Sequence, residues 1–196
     1  MSYSIPTELQ IGGQSYHIRK DGDFRMVLDC FSCLEDTELT KQERVMGSLM
    51  IFYDGMNTIE DLDALEDNLE EAVNKMFWFF NCADGPRLEK QNNHKLIDWE
   101  QDSQLICAAV NKVAGTEIRV EPYVHWWTFM GYYMSIGESL FSTVVGIRDK
   151  IVKSKKLEKY EKEFKNNNPQ YFVWNSKTLE QQEAEDWVKS VWNAGK

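Results

Sequence analysis

Leu62 to Phe80 reads LDALEDNLEEAVNKMFWFF, and its apolar residues Leu62, Leu65, Leu69, Val73, Met76 and Phe80 recur at intervals of three and four. That spacing lines one face of a helix, whereas a half-buried strand would alternate by twos. The stretch predicts one long amphipathic helix and, with it, a mainly helical protein. The same period runs through Phe24, Val27, Leu28, Phe31 and Leu34, after Asp21-Gly22-Asp23, and again through Val45, Leu49 and Phe52. The exception lies at the N-terminus, where Leu9 and Ile11, then Tyr16 and Ile18, alternate around Gly12-Gly13-Gln14. Two short strands joined by a tight glycine turn account for that pattern.

Helix starts are marked by a side-chain oxygen followed three residues later by Glu, Gln or Asp, a pairing that satisfies the free amides of a first turn. Thr40 with Glu43, Thr58 with Asp61, Asp98 with Gln101 and Thr178 with Gln181 have this form. The expected helices include one from Asp98 to Val113 that stops at Gly115. Another runs from Tyr123 to Ser135 with Pro122 in its first turn, and a third from Ser139 to Val152. Asn166-Asn167-Asn168-Pro169 ends the charged segment Lys153 to Lys165, Thr178 to Trp192 reads as a final helix, and Cys82 to Lys95 reads as a loop. The expected fold is mainly α: a single helical domain of about six to eight helices with a short N-terminal β-hairpin. Its expected division is a hairpin arm over 1–22, a helical core over 23–168 and an extension over 169–196.

Composition narrows the function. A chain of 196 residues suits one domain. Its 32 acids against 22 bases argue against a protein that binds by neutralising phosphates, so nucleic acid is not an expected partner. No run approaches the roughly 18 apolar residues of a membrane span, and Met1 to Leu9 lacks the charged-then-apolar order of a leader. A soluble, unexported protein without membrane contact is expected. Cys30, Cys33, Cys82 and Cys107 sit among apolar neighbours, as reduced cytoplasmic cysteines do.

Signatures of catalysis are missing. The chain has no phosphate-cradling glycine loop, paired metal histidines, calcium loop or serine elbow. Cys30-Phe31-Ser32-Cys33 has the spacing of a redox or zinc pair, yet no second close pair completes four ligands, and a core role for both thiols is the better reading. Asp98 and Asp102 lie one turn apart, as an acid/base pair would, but structural use at a helix start is the better reading. No enzymatic activity and no cofactor or metal are expected.

Aromatic residues carry the remaining signal. His125-Trp126-Trp127, with Phe129, Met130, Tyr132, Tyr133 and Met134, is apolar nearly all round and suits a core helix or one that also meets a partner. Phe77-Trp78-Phe79-Phe80 cannot all face one core, so Trp78 or Phe79 is expected to point elsewhere. Partner binding is expected through Trp78, Phe79, Trp127 and Tyr132. Charge is segregated too: Glu60 to Glu71 holds seven acids and no base, Arg148 to Lys165 eight bases and four acids. Two solvated faces explain this, and so does pairing between copies of the chain.

The sequence resembles a family of tailed bacteriophages and prophages of Gram-positive bacteria, catalogued after a phage gene product numbered fifteen. The similarity runs from residue 20 to 172 and rests on Asp98-Trp99-Glu100-Gln101-Asp102, Ile106 to Ala109, Glu121 to Phe129 and Phe141 to Arg148. Val27-Leu28, Lys41 to Asp54 and Phe77 to Cys82 add to it, and His125-Trp126-Trp127 is its most specific element. The resemblance implies a tail assembly chaperone of the host cytoplasm. Such a protein coats the helical tape-measure protein, helps recruit tail-tube subunits and leaves before the virion is complete. A structural minor tail protein retained in the virion is the alternative. Tape-measure protein, the major tail-tube protein and further copies of the chain are therefore the expected partners.

Overall fold

The computed structural model of the protein describes residues 4–63, 65, 68–83 and 95–174. Within them lie eight α-helices and one two-stranded antiparallel sheet, the mainly helical fold expected. The chain divides into two compact units, one built from described residues between 4 and 83 together with Tyr123–Phe129, the other from 95–122 and 130–174. These bounds differ from the expected division at 22 and 168.

The first unit opens with β1 (Glu8–Ile11) and β2 (Gln14–His17), paired Leu9 to Tyr16 and Ile11 to Gln14. Gly12 and Gly13 turn the chain with φ of 56° and 81°, values that a β-carbon disfavours. The hairpin is no free arm. Leu9 and Ile11 are buried, and the Gly12 amide donates to the Glu71 carboxylate at 2.9 Å. Lys20, Asp21 and Gly22 then take left-handed backbone, which swings Asp23 into place to cap α1 (Phe24–Glu35) through the Arg25 amide. Thr40 and Glu43 form the expected capping box on α2 (Lys41–Phe52).

Close packing of α1 on α2 absorbs the cysteine pair. Cys30 Sγ lies 3.7 Å from the Ser48 carbonyl and Cys33 Sγ 3.6 Å from that of Arg44, while a β-carbon on Gly47 would stand 2.8 Å from Cys33 Sγ. Small residues let the two backbones approach, and burial pushes the Cys30 thiol well above its ordinary pKa. Both cysteines are free.

The long helix expected from Leu62 to Phe80 is two helices, α3 (Ile59–Asp63) and α4 (Leu69–Phe80). Between them, amides of Leu65 and Asn68 bond back three residues, to Leu62 and Leu65, so the path tightens while Leu62 and Leu65 both stay buried. Seven acids from Glu60 to Glu71 would repel one another at i,i+3 and i,i+4 along an unbroken helix. The periodicity of the apolar residues survives the break, and the helix does not.

Two further starts are shifted. The Asp98 carboxylate accepts from the amides of Glu100 and Gln101, but this closes a turn, and α5 (Ser103–Ala114) opens only after Asp102, ending at Gly115 in the left-handed cap. The helix expected from Tyr123 is α6 (Trp126–Met134), because the Val124 amide donates to Asp23 and its carbonyl accepts from Phe24, holding residues 123–125 extended. Pro122 therefore lies outside the first turn. Helix α6 gives its first four residues to the first unit and the rest to the second.

In the second unit, α7 (Leu140–Val152) follows the Ser139 cap as expected, and α8 (Lys159–Asn167) fills most of the charged segment before Pro169. Its core is Ile106, Ala109, Val110, Ile118, Phe141, Val144 and Ile147. Across it the Arg148 guanidinium grips the Asp102 carboxylate in two bonds of 2.6 and 2.9 Å, donates to the carbonyls of Leu96 and Tyr171, and stacks 4.1 Å over Trp174. Asp102 is thus a buried counter-ion. The Thr178–Gln181 start and the helix to Trp192 lie outside the described residues, as does most of the Cys82–Lys95 loop.

Candidate partner-binding surface

His125-Trp126-Trp127 closes the C-terminus of α4. The last turn of any helix leaves carbonyls without partners, and here the Trp127 indole N–H donates to Phe79 and the Trp126 indole N–H to Phe80, each at 2.9 Å. His125 serves α6 in return: its Nδ1 accepts the Trp127 amide at 3.0 Å, so Nε2 carries the proton and donates to the Pro6 carbonyl at 3.1 Å. The ring is neutral in this arrangement. Burial lowers its pKa below the ordinary 6.5, opposed by the Pro6 bond and the nearby Asp21 and Asp23 charges.

Beneath this knot the rings form one core. Phe24 stacks on Phe129 at 4.7 Å, Phe31 meets Trp126 at 5.7 Å, and Phe52 meets Phe79 at 5.3 Å. Phe79 is wholly buried, whereas Trp78 is 39% exposed and rests edge-on against Trp127 at 5.5 Å. Of the aromatic quartet, Trp78 is the residue that points outward. The structure thus brings Trp78, Phe79 and Trp127 together, Phe79 as the floor and the two indoles as the rim. Tyr132, half-buried, belongs to the second unit.

A second feature of the first unit is an open pocket of about 450 Å³ lined by Arg19, Gly47, Met50, Ile51, Met56 and Asn57. Arg19 shapes it by donating from one nitrogen to the carbonyls of Met50, Tyr53 and Met56 and to the Asn57 side chain, at 3.0–3.3 Å. The guanidinium thereby completes the C-terminus of α2, and the two methionines and Ile51 supply an adaptable apolar wall. Sequence reasoning missed this pocket. Arg19 follows the hairpin with no local pattern around it, and only the fold carries it to α2.

Among the described residues no group of three His, Cys, Asp or Glu side chains is placed to hold a metal ion, and no helix is long and apolar enough to cross a membrane. What the geometry offers is apolar contact area at the indole rim and in the pocket beside Arg19.

The family described as Bacteriophage Gp15 protein matches residues 1–172. The chain belongs to that family. Membership makes this a bacteriophage protein and points to a structural or morphogenesis role. The match takes in the N-terminal hairpin as well as the span from residue 20 to 172, and includes every residue of the indole–histidine knot. No curated protein and no solved structure matches the chain.

Proposed function

We propose that the protein is a tail assembly chaperone that binds the helical tape-measure protein during morphogenesis in the host cytoplasm, without enzymatic activity, cofactor or metal. The observation that carries the reading is the Trp78–Trp127 rim, an exposed indole braced on a half-buried one whose own N–H is already used. A rigid indole braced on another whose N–H is satisfied gives apolar contact at low entropic cost. An amphipathic partner helix would lay its apolar stripe on such a rim, and the Met50–Met56 pocket would receive a side chain of variable shape. Weak contacts repeated by many copies then add along a long partner. Tail-tube subunits are a second candidate partner.

Co-expression with the tape-measure protein of the same phage tests this. The expected result is soluble, co-purifying tape measure that is lost with Trp78→Ala, with circular dichroism showing that the variant keeps its fold. Tyr132→Ala tests whether the second unit shares in the contact. Insoluble tape measure with no complex would refute the proposal, and detection of the chain at fixed copy number in purified virions would favour a structural tail protein.

A further inference from the structure

We propose that the open pocket beside Arg19 is a binding site for an uncharged aromatic ring, presented as a side chain by a partner segment. The site rests on the tape-measure reading only for the source of that ring. Arg19 is the charged member of the lining, and the way its charge is bonded selects the guest.

Arg19 has little hydrogen bonding left to offer. Its Nη2 donates to the carbonyls of Met50, Tyr53 and Met56 and to Asn57 Oδ1, all at 3.0–3.3 Å. Its Nη1 faces the Asp54 carboxylate at 3.6 Å, and its Nε is buried with no partner, out of reach of a ligand. An incoming carboxylate or phosphate would meet occupied donors and the negative charge of Asp54. An incoming cation would meet the guanidinium. An uncharged guest is what this bonding admits.

Among uncharged guests the guanidinium favours a ring. Its N–H groups all lie in one plane, so the bonds to α2 and the residues after it use the edges of the group and leave its faces. Compensation of the charge by Asp54 is loose, since that carboxylate is 63% exposed and lies beyond hydrogen-bond distance. The negative face of an aromatic ring answers a cation without needing a donor, and does so more strongly where the cation is partly desolvated. Arg19, its side chain 28% exposed, meets that condition. The rest of the lining agrees with it. Met50 and Met56 bring thioethers, which make favourable contacts with rings, and Ile51 brings an aliphatic wall. A volume of about 450 Å³ falls among pockets that enclose small organic ligands, about 300–1,000 Å³, and the open mouth suits a side chain that arrives attached to another polypeptide.

Methionine methyl NMR of the full chain tests the proposal, with the carbon-13 signals of Met50 and Met56 assigned through Met50→Leu and Met56→Leu. The probes are N-acetyltryptophanamide and N-acetylphenylalaninamide, with N-acetylleucinamide as the aliphatic control and N-acetyltryptophan as the anionic one. Both aromatic amides should move the Met50 and Met56 signals saturably. The aliphatic amide should bind about two- to fivefold more weakly, the size of a cation–π contact at an exposed site, and the anion no more tightly than its amide. Arg19→Gln should bring the aromatic amides down to the aliphatic level, with circular dichroism establishing its fold. Should that variant unfold, Ile51→Gln leaves Arg19 intact, removes the apolar wall and should also weaken the aromatic amides. Signals of Met50 and Met56 that do not saturate by the solubility limit of the amides overturn the proposal. Equal affinity for the aliphatic amide, tighter binding of the anion, or a folded Arg19→Gln or Ile51→Gln that binds like the parent also overturns it. Because these probes replace the tape-measure protein, failure here leaves the co-expression test standing, and failure of co-expression leaves the pocket's preference for rings standing.

Discussion

Removal of Arg148 should be among the most damaging single changes in the second unit. In Arg148→Met the Asp102 carboxylate, 2% exposed, loses bonds of 2.6 and 2.9 Å and keeps only the Asp98 amide at 3.0 Å. Breaking one side of a buried pair costs about 3–5 kcal/mol. The carbonyls of Leu96 and Tyr171 lose their donors as well, at about 0.5–1.5 kcal/mol each. The sum approaches the whole stability of an ordinary domain, about 5–15 kcal/mol. Asp102→Asn should cost less, because Arg148 retains both carbonyls and the Trp174 ring beneath it. The double variant should fall short of the summed single costs by about 2 kcal/mol, since it leaves no lone carboxylate behind. Urea denaturation followed by circular dichroism measures these differences, with hydrogen exchange on Ser103–Ala114 and Leu140–Val152 reporting on the helices that carry the pair. An Arg148→Met cost below about 1 kcal/mol, or strictly additive single costs, would refute the assignment of the pair as the tie between these segments.

Other substitutions probe the first unit and its caps. Trp126→Phe should cost about 0.5–1.5 kcal/mol by removing the indole N–H bond to the Phe80 carbonyl; an unchanged urea midpoint would contradict the capping role. His125 has its folded pKa lowered from 6.5, so between the two values the unfolded chain binds more protons. Its stabilisation is complete above pH 6.5 and declines as pH falls through the folded value. Thermal melts across that window should show the decline in the parent and lose it in His125→Gln; an unchanged slope would remove His125 as its source. Ser154→Gly should raise stability by about 0.5–1 kcal/mol, because glycine enters the left-handed cap without the β-carbon cost, and a lower melting temperature would count against the cap.

Helix periodicity and capping pairs marked most elements correctly because both are local: Thr40 with Glu43 and Thr58 with Asp61 act within three residues. The shifted boundaries came from partners far away in the chain. Asp98 and Asp102 look alike in sequence, yet one closes a turn and the other is committed to Arg148. Residues 123–125 are held extended by Asp23, whose role no window around Pro122 contains. At the candidate surface, the quartet Phe77–Phe80 implied that one ring must leave the core, and burial identifies it as Trp78. Why both tryptophans follow His125 was unreadable from periodicity, since their purpose is the carbonyls of Phe79 and Phe80. The Arg19 pocket left no trace because all its bonds reach across at least 31 residues.

The return of Tyr123–Phe129 to the first unit also dictates an order of events during synthesis. As the chain leaves the ribosome, α1, α2 and α4 emerge early, but the indole and imidazole donors to the Phe79, Phe80 and Pro6 carbonyls are made more than forty residues after α4 ends. Contacts of such sequence separation are slow to close. The nascent N-terminal helices therefore expose their aromatic faces until residue 129 is free, and a fragment ending near Cys82 should not behave as an autonomous domain. Completion of the first unit is in this sense a checkpoint on translation through Pro122.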